Sequence, residues 1–357
     1  MKKSIFAVSV AALFFTACSN SEDFETSQSQ KEIALNPVAQ KATRTPISST
    51  DFPTELSIYV SAWNSVSKDY FEGIEFTKDA SGNWKSGQLW PINGITSFLA
   101  YAFNQKDDDS ETGYAYSAVD VNNKATWGEN NKDYAKKLTF NFGDKSLCYK
   151  KADVNGTSVS TSTPTPYVDL LYANADQTKE KVYSTVSMTF QHTGAWIEFN
   201  VSLANDLSDA SLIINNFSLL NVYKGGKLTI DNTIAGGAKA SWDFTGLTAD
   251  EYQVESFPQA NSNTTDKGLT LSDSPQTFGV ILPEQQQTAI QFKYTLSSTA
   301  SQEAFTAQTA TYTHNLDRFN KWEMGKKYVY NITISFKEIE IEPSVTEWVS
   351  SSENIGI

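Results

Sequence analysis

Residues Leu56-Ser57-Ile58-Tyr59-Val60-Ser61-Ala62-Trp63 alternate apolar and polar, the period-two pattern of a half-buried strand. The pattern returns along most of the chain and limits it to an all-β fold. Phe71–Phe76 and Asn83–Leu89 form a hairpin across Asp79-Ala80-Ser81-Gly82, and Ser97–Phe103 is a strongly apolar strand. Leu138–Phe142 and Tyr167–Ala173 follow. Val186–Phe190 and Trp196–Leu203 flank Gln191-His192-Thr193-Gly194. Leu212–Tyr223 and Lys227–Ile230 read as a hairpin over Lys224-Gly225-Gly226. Trp242–Phe244, Gln276–Leu282, Ala289–Leu296, Thr309–Tyr312 and Lys327–Phe336 continue the series, and Ile339–Ile341 and Val345–Ile357 close it. Short helices are expected only at Asp206–Ala210 and Gln105–Tyr114. Many short strands separated by Gly, Pro, Asn and Asp turns indicate β-sandwiches.

With 357 residues there is material for about two domains at ~150 residues each. The best boundary signal is Lys179–Tyr183. The expected division is therefore a signal peptide (1–17), a tether with a first strand (18–44), and two β-domains (45–182 and 183–357). A net charge of −13 argues against nucleic acid as a partner and against an electrostatic hold on anionic lipid.

The N-terminal stretch bears on location. Lys2 and Lys3 precede an apolar run, Ile5–Phe15, that is too short to span a bilayer as a helix. It ends at Thr16-Ala17-Cys18, which suits a lipoprotein signal peptidase cutting before a Cys that carries lipid. An ordinary secretory cut nearby is the alternative. Ser19-Asn20-Ser21-Glu22-Asp23 is either a surface-export signal or a plain linker. Ile33-Ala34-Leu35-Asn36-Pro37-Val38 reads as a short strand, with Pro37 indicating an edge position. Lys41–Pro46 is polar and turn-rich, the kind of segment that proteases nick. If Cys18 is lipidated, Cys148 stands alone and no intramolecular disulfide forms.

Catalytic patterns are weak. The two histidines, His192 and His314, read as a packed strand-end residue and a surface residue. No Cys/His spacing suits zinc. Asp107-Asp108-Asp109-Ser110-Glu111 fails the calcium-loop count at Thr112 or Val119, depending on where it starts. Gly225-Gly226-Lys227-Leu228-Thr229 imitates a P-loop tail, but Asn221 and Leu228 stand where Gly and Ser/Thr are needed. No metal, cofactor or enzymatic activity is expected. Of the eight tryptophans, Trp127 is the best candidate for an exposed sugar-stacking ring.

Several landmarks occur in order. Lys41-Ala42-Thr43-Arg44-Thr45 follows the lipoprotein start. Trp84, Leu89-Trp90-Pro91 and Phe98-Leu99-Ala100-Tyr101 come next. Asp169-Leu170-Leu171-Tyr172-Ala173 precedes Met188-Thr189-Phe190-Gln191-His192. Gly325-Lys326-Lys327-Tyr328-Val329-Tyr330 and Val345-Thr346-Glu347-Trp348 stand near the end. The ordered set resembles the fimbrillin family, subunits of type V pili and their surface-lipoprotein relatives.

The resemblance implies two tandem transthyretin-like β-sandwich domains with Greek-key-type connections. It implies an outer-membrane lipoprotein anchored at Cys18 and an arginine-specific surface protease cutting between Arg44 and Thr45. The strand carrying Ile33, Leu35 and Val38 would be displaced, and a strand from another pilus subunit would take its place by β-strand addition. Val349, Ile355 and Ile357 of the C-terminal tail are candidate donor residues, although Ser351 and Glu353 share their face. A tail that only completes its own sheet is the alternative. A different functional reading is a monomeric surface lipoprotein that binds a host glycan or protein.

Overall fold

A computed structural model describes residues 31–39, 58–63, 70–91, 97–103, 126–127, 137–142, 169–177, 183–204, 210–232, 237–254, 269–271, 274–298, 308–335 and 339–347. These residues hold 22 strands and no helix. The fold is all-β, as the alternation requires.

The first strands are β1 (Glu32–Ala39), β2 (Ile58–Trp63), β3 (Phe71–Lys78), β4 (Trp84–Leu89), β5 (Ser97–Phe103), β6 (Thr126–Trp127) and β7 (Lys137–Asn141). Next come β8 (Leu170–Asp176), β9 (Val186–His192), β10 (Gly194–Leu203), β11 (Ala210–Val222), β12 (Lys227–Asp231), β13 (Lys239–Asp243), β14 (Asp250–Gln253) and β15 (Leu269–Thr270). The last are β16 (Gln276–Pro283), β17 (Gln285–Gln286), β18 (Ala289–Ser298), β19 (Gln308–Asn315), β20 (Lys321–Trp322), β21 (Lys326–Ile334) and β22 (Ile339–Glu347).

Seven strands close into a barrel in the order β1-β4-β3-β2-β5-β8-β9. β1 lies beside β4 rather than β2, a Greek-key order. An odd ring cannot alternate direction all the way round, so one neighbouring pair must be parallel. That pair is β1 with β9. All the other pairs are antiparallel. The interior is apolar and includes Ile33, Ile58, Val60, Phe76, Trp84, Phe98, Met188 and Phe190.

Along β5 and β8 the barrel wall is buried on both faces. Phe98, Ala100, Leu171 and Ala173 belong to the inner core, and Leu99, Tyr101, Leu170 and Tyr172 to a second core outside it. This explains why Ser97–Phe103 reads as an unbroken apolar run. The sheet β13-β12-β7-β6 supplies part of that second core. The Phe140 ring of β7 meets Tyr101 edge-on, with centroids 5.1 Å apart.

Two further sheets, β16-β10-β21-β22 and β14-β11-β18-β19, pack through aromatics. The Phe217 ring of β11 lies 4.7 Å from Phe199 of β10 and 4.9 Å from Phe278 of β16. β10 repeats the setting of β1: it has an antiparallel neighbour, β16, on one side and a parallel neighbour, β21, on the other.

Several expectations need correction. β9 belongs to the barrel, and the chain passes into the next sheet at Thr193. The sheet containing β7 and β12 joins strands from both sides of that boundary. Lys224-Gly225-Gly226 is not a hairpin turn, because β11 and β12 lie in different sheets. It is a crossover fixed by the Gln285 side chain, which accepts from Tyr223 N at 2.8 Å and donates to Tyr223 O at 2.9 Å. Ala210 begins a strand rather than ending a helix. The remaining residues of the two expected helices lie outside the described set.

Candidate assembly site

The barrel closes through β1, and its two halves close it differently. The N-terminal half pairs with β4, as Glu32↔Leu89, Ala34↔Lys85 and Leu35↔Trp84. The C-terminal half pairs with β9, from Leu35↔Val186 to Ala39↔Phe190. Leu35 is the residue common to both ladders. β1 is therefore not an edge strand, contrary to the reading of Pro37. The proline is tolerated because its half of the strand needs hydrogen bonds to one neighbour only.

Period two decides what β1 buries. Ile33 is 0% exposed and Leu35 3%. Pro37 is buried too, so the inward face is Ile33, Leu35 and Pro37. Val38 points outward and is 36% exposed. Burying Ile33 and Leu35 contributes about 1.5–3 kcal/mol each. Backbone pairing adds to that, and the entropy of ordering the strand opposes it.

The N-terminal end of β1 has extra fastenings. Glu32 accepts a 2.8 Å hydrogen bond from Gly87 N and pairs with Lys85 Nζ at 3.3 Å. The ion pair is exposed and contributes at most about 1 kcal/mol. Trp90 N donates to Lys31 O at 2.8 Å. The Trp90 ring is itself 1% exposed and packs edge-on against Phe98 and Tyr183, with centroids 6.1 and 5.7 Å away. Trp90, the centre of the Leu89-Trp90-Pro91 landmark, thus packs at the foot of the barrel beside the start of β1, while Leu89 is exposed.

Beyond this foot, Asp79 organises the β3–β4 turn. One of its oxygens accepts from Asn83 N at 2.8 Å and Ser81 N at 2.9 Å. These amides, Asn83's first, hold the Asp79 carboxyl below the usual carboxylate range.

The passage out of the barrel is also tightly made. His192 ends β9, and its Nδ1 lies 2.8 Å from Asp169 Oδ1, with each side chain 1% exposed. Thr193 bonds Leu170 O through both its amide and its hydroxyl, at 3.1 and 2.9 Å. Trp242 Nε1 donates to Thr193 O at 2.8 Å. The two histidine-bearing and aspartate-bearing landmarks therefore meet in space as a structural corner. His314 is half-buried, with its Nδ1 3.3 Å from the Tyr312 hydroxyl. Among the described residues, no three His, Cys, Asp or Glu side chains could together hold a metal ion.

Cys18, Arg44, Thr45, Val349, Ile355 and Ile357 lie outside the described residues, as does the Trp127 side chain. Ile33 and Leu35 both face the barrel interior. Sequence reasoning missed Pro37 as an inward residue, although its odd position was a usable signal. It also missed Val186, Met188 and Phe190 as one lip of the seam. Their alternation was visible, but their pairing with β1 was not.

The chain matches the model of the fimbrillin-like family over residues 43–348, a stretch that begins after β1. No curated protein sequence matches it. It is similar in structure to a fimbrial protein from Bacteroides vulgatus ATCC 8482, with 14% identity, 88% of this chain and 99% of that chain covered, and a TM-score of 0.54. A candidate cell adhesion protein from Bacteroides uniformis ATCC 8492 aligns with 16% identity over 89% of this chain and 100% of its own, at a TM-score of 0.44. The fimbrial anchor protein Mfa2 from Porphyromonas gingivalis aligns with 10% identity over 89% and 97%, at a TM-score of 0.31. By the match over residues 43–348, the chain belongs to the fimbrillin-like family.

Proposed function

We propose that this protein is a structural subunit of a cell-surface pilus, assembled by strand exchange at the β1 seam. It is exported as a lipoprotein anchored to the outer membrane through Cys18. An arginine-specific protease cuts after Arg44, so that Thr45 becomes the new N-terminus. β1 then has no covalent link to the barrel it closes. Its departure leaves two unpaired lips, β4 and β9, over an apolar interior. A strand from a second subunit fills the gap, with Val349, Ile355 and Ile357 of the C-terminal tail as the candidate donor. The barrel and the two sheets after it are two tandem transthyretin-like units. The repeated setting of β1 and β10 supports that reading.

One observation carries the proposal. The strand preceding Arg44 is the closing strand of a barrel, and its buried face consists of Ile33, Leu35 and Pro37. The test is mass spectrometry of intact cells and of sheared surface material. A polypeptide starting at Thr45 in high-molecular-weight sheared polymer is expected. The Arg44→Ala chain should remain lipidated and unassembled. Normal polymer from Arg44→Ala, or a wild-type protein found only as a membrane species starting at Cys18, would overturn the proposal.

A further inference from the structure

The two ends of β1 are held unequally. Its N-terminal half contributes both large buried aliphatic side chains, Ile33 and Leu35. That half is also fastened from outside the ladder, by Gly87 N and Lys85 on Glu32 and by Trp90 N on Lys31 O. Its C-terminal half, Asn36–Ala39, pairs with β9 in the barrel's one parallel ladder, and parallel pairing is slightly weaker per residue. Pro37 brings no amide to that ladder. Asn36 and Val38 point outward and are exposed, so Pro37 is the described side chain of this half that is buried.

We infer that strand exchange at this seam has a direction: the Asn36–Ala39 end of β1 opens first, and the incoming strand lands on the Met188–Phe190 edge of β9. Pairing then runs down β9 to Val186. It crosses to β4 at the level of Leu35 and Trp84, and displaces Ile33 and Glu32 last. The inference rests on the strand-exchange reading above and adds its order of events. The end that opens first is also the end nearest Arg44, so a cut there frees the weakly held half. The strongly held half stays joined to the tether. The resident strand would therefore remain in place after the cut, protecting the apolar interior until an incoming strand arrives.

The order can be tested without knowing the natural donor. Full-length chain is cut at Arg44, and its resident β1 is challenged with fluorescent synthetic peptides. One peptide carries Lys31–Ala39, one lacks Asn36–Ala39, and one lacks Lys31–Ala34. Displacement is followed by anisotropy. The peptide without Asn36–Ala39 should enter at least about tenfold more slowly than the full peptide, because it has no pairing with the opened edge of β9. The peptide without Lys31–Ala34 should start pairing at close to the full rate but dissociate faster, since it lacks Ile33 and the Glu32 contacts. The reverse pattern, or equal entry rates for the two truncated peptides, would overturn the directional inference and leave strand exchange standing. Failure of every peptide to displace β1 from the cut chain would overturn the strand-exchange reading, and the direction with it.

Discussion

At position 279 the only side chain that fits is a hydrogen atom. Gly279 sits in the middle of β16, where glycine ordinarily weakens a strand. A Cβ there would lie 2.7 Å from the Ile197 carbonyl oxygen and 2.7 Å from the Trp196 ring. The indole occupies the space that a side chain would need. Gly279→Ala should therefore destabilise the protein by about 1–3 kcal/mol, as overpacking does, read as a lower urea midpoint at unchanged slope. An unchanged midpoint would mean that the Trp196 ring moves aside at little cost. Asp79 offers a second test at this scale. Its folded-state carboxyl is held low by the Asn83 and Ser81 amides. The turn's stabilisation is accordingly full above the ordinary carboxylate range and is lost as pH falls through the lowered value. The Ser81 and Asn83 amide proton shifts should titrate below that range, and Asp79→Ala should abolish the transition. A midpoint at or above the ordinary range would contradict the hydrogen bonds. The Asp79 turn was legible because its partners lie within four residues. The Asp169–His192 pair was not, because 23 residues separate the partners and only the barrel brings them together.

At the scale of the element, β1 shows how period two limits what a strand can do. Ile33, Leu35 and Pro37 share the inner face, and Val38 lies on the other. Leu35→Ala should cost about 2–5 kcal/mol, as buried leucine truncations do. Val38→Ala should stay within about 0.5 kcal/mol, as surface changes do. Equal losses in thermal or urea denaturation would mean that the strand's face is assigned wrongly. Strand positions were readable here because alternation is a local property. β9, Val186–His192, follows it without a break. Neighbours were not readable. Nothing in Lys137–Asn141 announces that it pairs with Lys227–Asp231, because hydrogen bonds between strands far apart in sequence leave no mark on either one. The same gap in information made Lys224-Gly225-Gly226 look like a hairpin. Glycines suit a turn back and a crossover equally well, and the Gln285 side chain that selects the crossover is 62 residues from Tyr223.

At the scale of the whole molecule, β1 and β10 occupy equivalent settings but have different covalent ties. Each lies between an antiparallel and a parallel neighbour. β10 is continuous at both ends with strands of the folded body, β9 before it and β11 after it. A cut at Arg44 would leave β1 with no covalent link to the barrel. Loss of β1 should therefore loosen one unit and spare the other. Once the cut chain is stripped of β1 in mild denaturant and returned to buffer, amide protection should fall along Trp84–Leu89 and Val186–Phe190, the two lips. Protection along Gly194–Leu203 and Lys326–Ile334 should stay close to that of the intact chain, since Phe199, Phe217, Phe278 and Tyr330 still pack together. Adding a peptide of residues Lys31–Ala39 should restore the lips, whereas the same peptide with Ile33 and Leu35 changed to Ser should not. The outcome that defeats this view is an equal loss of protection in both units. Loss of β1 would then be transmitted through the core outside the barrel, where Tyr101 meets Phe140, and the second unit could not act as a rigid base while the first exchanges its closing strand.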